Sequence, residues 1–375
     1  MNLRLISLAG VLALSACAGG GGEPLAQTPP QPQPAGYSGP LYAPQFTIRI
    51  PAPSSVGRRP QYVTANILSI QIVLNTVNGA APPSGLVLSV TTNIAPGSCA
   101  SGCTISGPSS PPGSDNFTLT TFDATNAGGG AISTATTTLT IVQGTANSNT
   151  ITLLGIPHSF TLSGIPAGTA GTAFGSPATI TLTVKDVDGN TITGTYANSV
   201  TIADSDLSSL TQGSALSING AAVASSVTST ASSDVLTLNY GGLAILPATL
   251  TVSATGATNA TATFAPTLQP IVYTGPLNGS TPEIDLYATS GTGSTGAFTA
   301  SETGWTNGPY SKNLSLTVPA GCSTIATASP ASGTSFTVTS AASPAAGTCT
   351  MTLGDSVGQT KALTVTYSTS TFPVN

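Results

Sequence analysis

Residues 180–194 of this 375-residue chain read Ile180-Thr-Leu-Thr-Val-Lys-Asp-Val-Asp-Gly-Asn-Thr-Ile-Thr-Gly194, and their pattern decides the fold class. Apolar and polar residues alternate at the start, which places one set of side chains on a buried sheet face and the other in water. The pairs Asp188-Gly189 and Gly189-Asn190 tolerate the positive φ that a tight turn requires. The stretch therefore predicts two antiparallel strands joined by a hairpin turn.

The same alternation recurs along the chain. Such runs lie at Phe46–Ile50, Ser69–Leu74, Leu86–Val90, Phe117–Phe122, Thr138–Val142, Val235–Leu238, Leu250–Val252, Leu314–Val318, Phe336–Val338 and Leu363–Tyr367. Thr, Ser, Val, Ala and Gly dominate the composition, and Thr and Val fit strands because branching at Cβ packs well on a pleated surface. Short strands separated by turns about every 8 to 12 residues are typical of antiparallel β-sandwiches. The sequence predicts an all-β protein.

Domain boundaries follow from turn-forming residues. At about 100 to 150 residues per domain, the chain beyond residue 44 accommodates two or three domains. Gly155-Ile-Pro157 closes one block, and the proline-containing stretch 266–276 closes another. We therefore predict three tandem sandwiches, at 45–156, 157–268 and 276–375.

The stretch Ile180–Gly194 resembles the hairpin of bacterial immunoglobulin-like domains in adhesins of the invasin and intimin type. Those modules show a strand, then Asp, then a Gly-Asn turn, then the return strand. The resemblance covers these fifteen residues, and elsewhere the chain shares only the general pattern. It implies immunoglobulin-like sandwiches and a role in spacing and adhesion.

The N-terminus carries an export pattern. Arg4 precedes an apolar run at residues 5–14, which is shorter than the ~20 residues needed to cross a bilayer. The following Leu14-Ser-Ala-Cys17 resembles the bacterial lipobox. That resemblance implies that 1–16 is a signal peptide and that Cys17 carries a covalent lipid. We expect a protein anchored to the bacterial cell membrane or outer membrane, facing the periplasm or the cell exterior.

Residues 17–44 have the composition of a linker. Gly19 to Gly22 are followed by prolines and glutamines. Glycine makes a chain flexible, whereas proline makes it extended, and neither builds a core. We predict a disordered stalk that holds the folded body away from the lipid headgroups.

Four cysteines remain after Cys17, and an even number in an exported protein indicates disulfides. The candidate pairs are Cys99 with Cys103 and Cys322 with Cys349. A zinc site would have to gather all four thiolates across two predicted domains, because the chain has one histidine. We therefore predict two disulfides and no metal cofactor.

Trp305 and Tyr310 are candidates for a ligand-binding surface. Trp305 and Tyr310 lie among turn residues, where they would form either a platform for sugar rings or a partner surface. The competing and favoured interpretation packs Trp305 into a sandwich core over the Cys322–Cys349 bridge, and Phe298 would share either role.

Asp186, Asp188 and Asn190 place three oxygen-bearing side chains at alternate positions, as at the start of a calcium loop. The segment lacks the glycine at the sixth position and the distant bidentate glutamate of the helical calcium loop. A plain turn is the favoured interpretation, and calcium is the weaker one.

The sequence offers little support for catalysis. His158 is the only histidine and lies at a predicted domain junction. Asp204 with Asp206, and Glu283 with Asp285, are two residues apart and would share a face in extended chain. A glycosidase using such a pair generally needs an aromatic-lined cleft, and this chain has one tryptophan. We predict that the protein is not an enzyme.

Charge excludes nucleic acid as a partner, because 7 basic and 12 acidic residues give a net charge of −5 with no basic stripe. The low charge also favours edge-to-edge self-association. The sequence thus predicts a lipid-anchored envelope protein that acts as an adhesin, spacer or scaffold, with surface proteins or glycans as partners. The alternative is a lipid-anchored protein that binds a glycan or small ligand through loops near Trp305 or Cys99–Cys103.

Overall fold

The computed structural model describes residues 36–48, 66–96, 98–99, 102–274, 282–287, 295–302 and 314–369. The predicted signal peptide and Cys17 lie outside these ranges. The described chain consists of strands, turns and two single-turn 3-10 helices, which confirms the predicted all-β fold class.

The described residues between 45 and 155 form eight strands and one 3-10 helix. They are β1 Gln45–Ile48, β2 Ser69–Val77, β3 Ser89–Asn93, β4 Cys103–Ser106, β5 Gly113–Phe122, the 3-10 helix Thr125–Ala127, β6 Ala131–Ile141, β7 Ser148–Ile151 and β8 Leu154–Gly155.

Eight more strands follow up to residue 264. They are β9 Ser159–Ser163, β10 Ala178–Lys185, β11 Thr195–Asp204, β12 Ser214–Ile218, β13 Ser226–Ala231, β14 Leu236–Tyr240, β15 Ala248–Ser253 and β16 Ala260–Phe264.

The last nine described strands come from residues 272–368. They are β17 Val272–Thr274, β18 Glu283–Tyr287, β19 Thr295–Ser301, β20 Leu314–Thr317, β21 Ala326–Ser329, β22 Ser332–Gly333, β23 Ser335–Ser340, β24 Gly347–Gly354 and β25 Thr360–Ser368, with a 3-10 helix at Ala320–Cys322.

The largest sheet crosses the predicted boundary between residues 156 and 157. Its order is β16-β15-β11-β8-β6-β5-β2-β3, with β13 also paired to β11. The crossing depends on β8, where Gly155 pairs antiparallel with Ser133 of β6 and parallel with Tyr196 of β11. Backbone pairing therefore links the first two predicted blocks through one shared sheet.

Four smaller sheets complete the fold. The first block adds β4-β1-β7, and the second adds β12-β14-β10-β9. The third block contains β17-β19-β23-β21 and β18-β25-β24-β20-β22. Strands from one block thus form at least two sheets, as sandwiches require.

The apolar side chains form two clusters. The first extends from Phe46 to Phe264 and so includes both of the first two blocks, while the second extends from Ile271 to Tyr367. Within the second, the rings of Phe298 and Phe336 stack with centroids 5.2 Å apart. Phe298 is a core residue.

The end of the predicted linker belongs to the folded body. The Tyr37 N–H donates to the Ser84 carbonyl at 3.1 Å, and the N–H of Tyr42 donates to the Ser110 carbonyl at 3.0 Å. These two hydrogen bonds show that residues 36–44 lie against the first block. Any spacer therefore ends before residue 36, closer to the N-terminus than the composition predicts.

Both predicted disulfides are present. Cys99 is bonded to Cys103, and Cys322 is bonded to Cys349, with Cα separations of 4.8 and 5.4 Å. The first closes a short loop next to β4. The second ties the 3-10 helix Ala320–Cys322 to β24 across the smaller of the two cores.

Removing each disulfide should have a different effect, because loop-closure entropy grows with loop length. We expect Cys322→Ala/Cys349→Ala to lower the free energy of unfolding by about 3 to 4 kcal/mol and Cys99→Ala/Cys103→Ala by about 2 kcal/mol. Urea unfolding followed by circular dichroism measures both. An equal loss in the two variants would contradict the loop-length explanation.

Candidate functional site

A groove of about 760 Å³ lies in the second block. Its apolar lining, called the floor below, consists of Leu182, Val184, Ile192 and Tyr196. Six further lining residues carry hydroxyl groups, and they are Thr183, Thr191, Thr193, Thr195, Ser232 and Ser233. Volumes of about 300 to 1,000 Å³ are typical of sites for small ligands.

The groove exists because β10 changes partners along its length. Its first residues pair with β14 as far as Ile180 opposite Leu236, and from Thr181 onward it pairs with β9 on its other side. The turn after β10 covers the β14 side again only at Val184, whose carbonyl accepts the Ile192 N–H at 2.8 Å. Between these two contacts, no described strand pairs with β10 on its β14 side.

The backbone of Leu182 points towards this unpaired side. Lys185 directs its carbonyl towards the β9 side, where it accepts the His158 N–H, and Val184 directs its carbonyl the opposite way. Backbone groups alternate in direction along a strand, so the N–H and C=O of Leu182 share the direction of Val184. The groove thus offers one backbone donor and one backbone acceptor beside an apolar floor.

The groove is electrically neutral. Tyr196 is the one ionisable side chain that lines it, and burial, with the nearby negative charge of Asp234, raises the pKa of Tyr196 to about 12. Burial also acts to raise the pKa of Asp234. Hydrogen bonds outweigh it and lower that pKa, and they come from Asn219, Thr230, Ala231 and Ser229.

The predicted turn at Asp186 is closed by its own donors. Asp186 is fully buried, and its Oδ1 accepts the Asn190 N–H at 2.8 Å, while Gly189 adopts a φ of 80°. The Asn190 Nδ2 also donates to the carboxylate. Burial raises the pKa of Asp186, and the hydrogen bonds from Asn190 act in the opposite direction. These contacts favour the plain turn over a calcium loop.

The return limb of this hairpin is shorter than the sequence predicts. Lys185 and Thr191 form an isolated bridge, and the next strand, β11, begins only at Thr195. The long partners of β10 are β9 and β14. The local pattern predicted the turn, whereas the pairing came from distant segments.

The two carboxylate pairs predicted from the sequence, Asp204 with Asp206 and Glu283 with Asp285, lie in different structural environments. Asp204 ends β11 and is buried, which raises its pKa, and its Oδ1 accepts the Asp206 N–H at 2.9 Å. Asp206 lies beyond the strand end, and its Oδ2 accepts the Ser214 N–H at 2.7 Å. This pair shapes the loop after β11 and does not share a strand face, because the extended chain ends at Asp204.

Glu283 and Asp285 do alternate on one exposed face of β18. Partial burial and then the charge of Glu283 raise the pKa of Asp285. His158 has an exposed side chain, and its backbone links β9 to the chain before β16 by accepting the Thr258 N–H.

Several predicted site residues are not placed. Trp305, Tyr310 and Cys17 lie outside the residues that the structure describes. Across the described ranges, no three His, Cys, Asp or Glu side chains come together as a metal site. No helix in that part of the chain is long and apolar enough to span a membrane.

No protein-family model and no curated protein matches the sequence. The solved structure of domains 4–9 of the surface layer protein SbsC aligns with 70% of this chain at 18% identity and a TM-score of 0.20, and this chain spans 37% of it. The Yersinia pseudotuberculosis adhesin InvE aligns over 56% of this chain and 58% of its own, at 17% identity and a TM-score of 0.29.

A β-glycosidase from Bacteroides vulgatus aligns with 59% of this chain and 24% of its own, at 12% identity and a TM-score of 0.24. At TM-scores this low, none of the three similarities carries weight for fold or function. The fold rests on the sheets and cores described above.

The turn at Asp186 provides a test of the local structure. Asp186→Ala leaves the Asn190 donors without their acceptor, so we expect the free energy of unfolding to fall by about 1 to 2 kcal/mol. Asp188 is exposed in the same turn, and Asp188→Ala should change the free energy of unfolding by less than about 0.5 kcal/mol. Urea unfolding compares the two variants. Equal effects would mean that the buried carboxylate does not hold the turn.

Proposed function

We propose that the protein is a non-enzymatic, exported and lipid-anchored component of the bacterial cell envelope, whose β-sandwich body acts as a spacer, scaffold or adhesion module. The observation that carries this proposal is the pairing of β8 with both β6 and β11. It gives the first two blocks one shared sheet and one shared core.

Such a body resists bending between its first two blocks. Moving one block against the other would break the pairs of Gly155 with Ser133 and with Tyr196, and it would expose apolar side chains of the shared core. A connection of this kind suits a part that presents a surface at a fixed distance. A flexible tandem array would not keep that geometry.

The anchor completes the proposal. Lipid on Cys17 would tether the body to a membrane, and two or three acyl chains hold a protein stably. The net charge of −5 favours partners other than nucleic acid, such as surface proteins or glycans.

The anchor is tested by intact-mass analysis of the protein isolated from its own membranes, beside Cys17→Ser. We expect a chain that begins at Cys17 with added acyl mass and that gains four hydrogens on reduction of the two disulfides. The variant should lose the acyl mass and leave the membrane fraction. An unprocessed, unmodified wild-type chain would refute lipid anchoring.

A second candidate function is the binding of a neutral, hydroxylated ligand such as a glycan. The groove beside Leu182 favours it, because its lining combines an apolar floor with hydroxyl groups and lacks an ionised side chain. This site differs from the loops near Trp305 that the sequence suggests.

The groove is tested by calorimetric titration with a panel of neutral oligosaccharides. Thr193→Arg would fill the groove and should abolish binding, because Thr193 is exposed at its rim. Thr161→Arg is the control, since Thr161 is exposed on β9, on the other side of β10. Absence of binding, or equal binding by both variants, would exclude the groove as a glycan site.

A further inference from the structure

β3 is the last strand of the largest sheet, and no other described strand lies beyond it. It pairs antiparallel with β2 along its whole length. On the side of β3 that faces β2, the Leu74 N–H donates to the Leu88 carbonyl and the Ile94 N–H donates to the Leu68 carbonyl. Because backbone groups alternate in direction, Ser89, Thr91 and Asn93 direct their N–H and C=O groups away from β2.

This edge carries none of the devices found at β18 and β21, and the opposite edge strand of the same sheet, β16, is also uncharged and free of proline. Natural sheets protect their edge strands with charged side chains, proline, bulges or very short length. In this chain, β18 carries Glu283 and Asp285 at the edge of its sheet, and Pro330 directly follows β21. The residues of β3, Ser-Val-Thr-Thr-Asn, include neither a charge nor a proline.

Apolar side chains are exposed at the start of the same edge. Val87 is 66% exposed and Leu88 is 44% exposed. At the other end, the side chain of Asn93 exchanges two hydrogen bonds with Asn126, which holds that end of β3 in place. Among the residues that the structure describes, the edge is therefore both ordered and open to a further strand.

We propose that β3 is a homotypic docking strand, which pairs antiparallel with β3 of a second copy of this chain across a two-fold axis at Thr91. In this register Thr91 lies opposite Thr91, and Ser89 lies opposite Asn93. Both pairs are polar and uncharged, so no like charges meet. Leu88 lies opposite Ile94 of the second copy, so the exposed leucine is covered.

The self-complementarity of the edge identifies a second copy as the partner. An isologous contact needs a surface that is compatible with itself under rotation, and a two-fold axis at Thr91 brings together only uncharged side chains of β3. The contact is small, and interfaces below about 1,200 Å² in total are weak and transient. Tethering two copies to the same membrane would raise the effective concentration of one β3 edge around the other. The pairing itself does not require the anchor.

Sedimentation velocity over a concentration series tests the contact. The full-length chain is produced by secretion with Cys17→Ser, so that both disulfides form and no acyl chain drives association. We expect a monomer–dimer equilibrium in the micromolar range. Thr91→Lys places two ammonium groups face to face at the axis and should weaken dimerisation at least tenfold.

Gln71→Lys is the matched control. Gln71 lies on β2 directly opposite Thr91 and on the same face of the sheet. A lysine at this position therefore adds the same charge one strand further from the axis. It should leave the dimer nearly unchanged at physiological salt, because screening extends over about 8 Å. A wild-type chain that stays monomeric up to hundreds of micromolar, or a Thr91→Lys variant that dimerises normally, would overturn the proposal.

Cysteine cross-linking tests the register. Directly opposed residues in a hydrogen-bonded antiparallel pair have Cα atoms about 5.5 Å apart, within the range that a disulfide spans. Thr91→Cys should therefore form a covalent dimer under mild oxidation. Gln71→Cys would place its thiols roughly 15 Å apart and should not. Equal cross-linking of the two variants would show a different contact and refute this register.

Discussion

The two-residue strand β8 is the connection on which the rest of the body depends. Gly155 is buried between β6 and β11, and the Ile156 N–H continues the pairing by donating to the Ile132 carbonyl. Pro157 has no N–H and ends this pairing. His158 then bonds to Lys185 on the opposing sheet, so the chain changes sheets within a few residues. This crossover joins two blocks that their composition alone would separate.

The body also depends on hydroxyl and amide groups where other proteins use charge. On the outer face of the large sheet, the hydroxyls of Thr118 and Thr136 lie 3.2 Å apart, and Asn75 donates to Asn116 at 2.8 Å. Cross-strand pairs of this kind stabilise a sheet without ions. The same chemistry leaves strand edges without charged protection, which links the composition of the chain to the association proposed for β3.

The local pattern of apolar, polar and turn-forming residues predicted those parts of the structure that depend on residues close in sequence. Alternation at Ile180 to Val184 gave the correct strand, and the glycine at 189 gave the correct turn, since both follow from backbone geometry over a few residues. Cysteine count and spacing predicted both disulfides. The groove beside Leu182 could not be predicted, because it depends on where β14 ends relative to β10, and those strands are about fifty residues apart in sequence.

The sequence by itself determined the all-β class, the faces of the strands and the candidate anchor at Cys17, because periodicity and short motifs are local properties. Only the tertiary structure decided which strands become neighbours, that one sheet crosses residue 156, and that residues 36–44 join the body. It also decided that β3 is left at an edge. Strand pairing uses the same backbone groups in every residue, so an alternating run specifies a strand without specifying its partner.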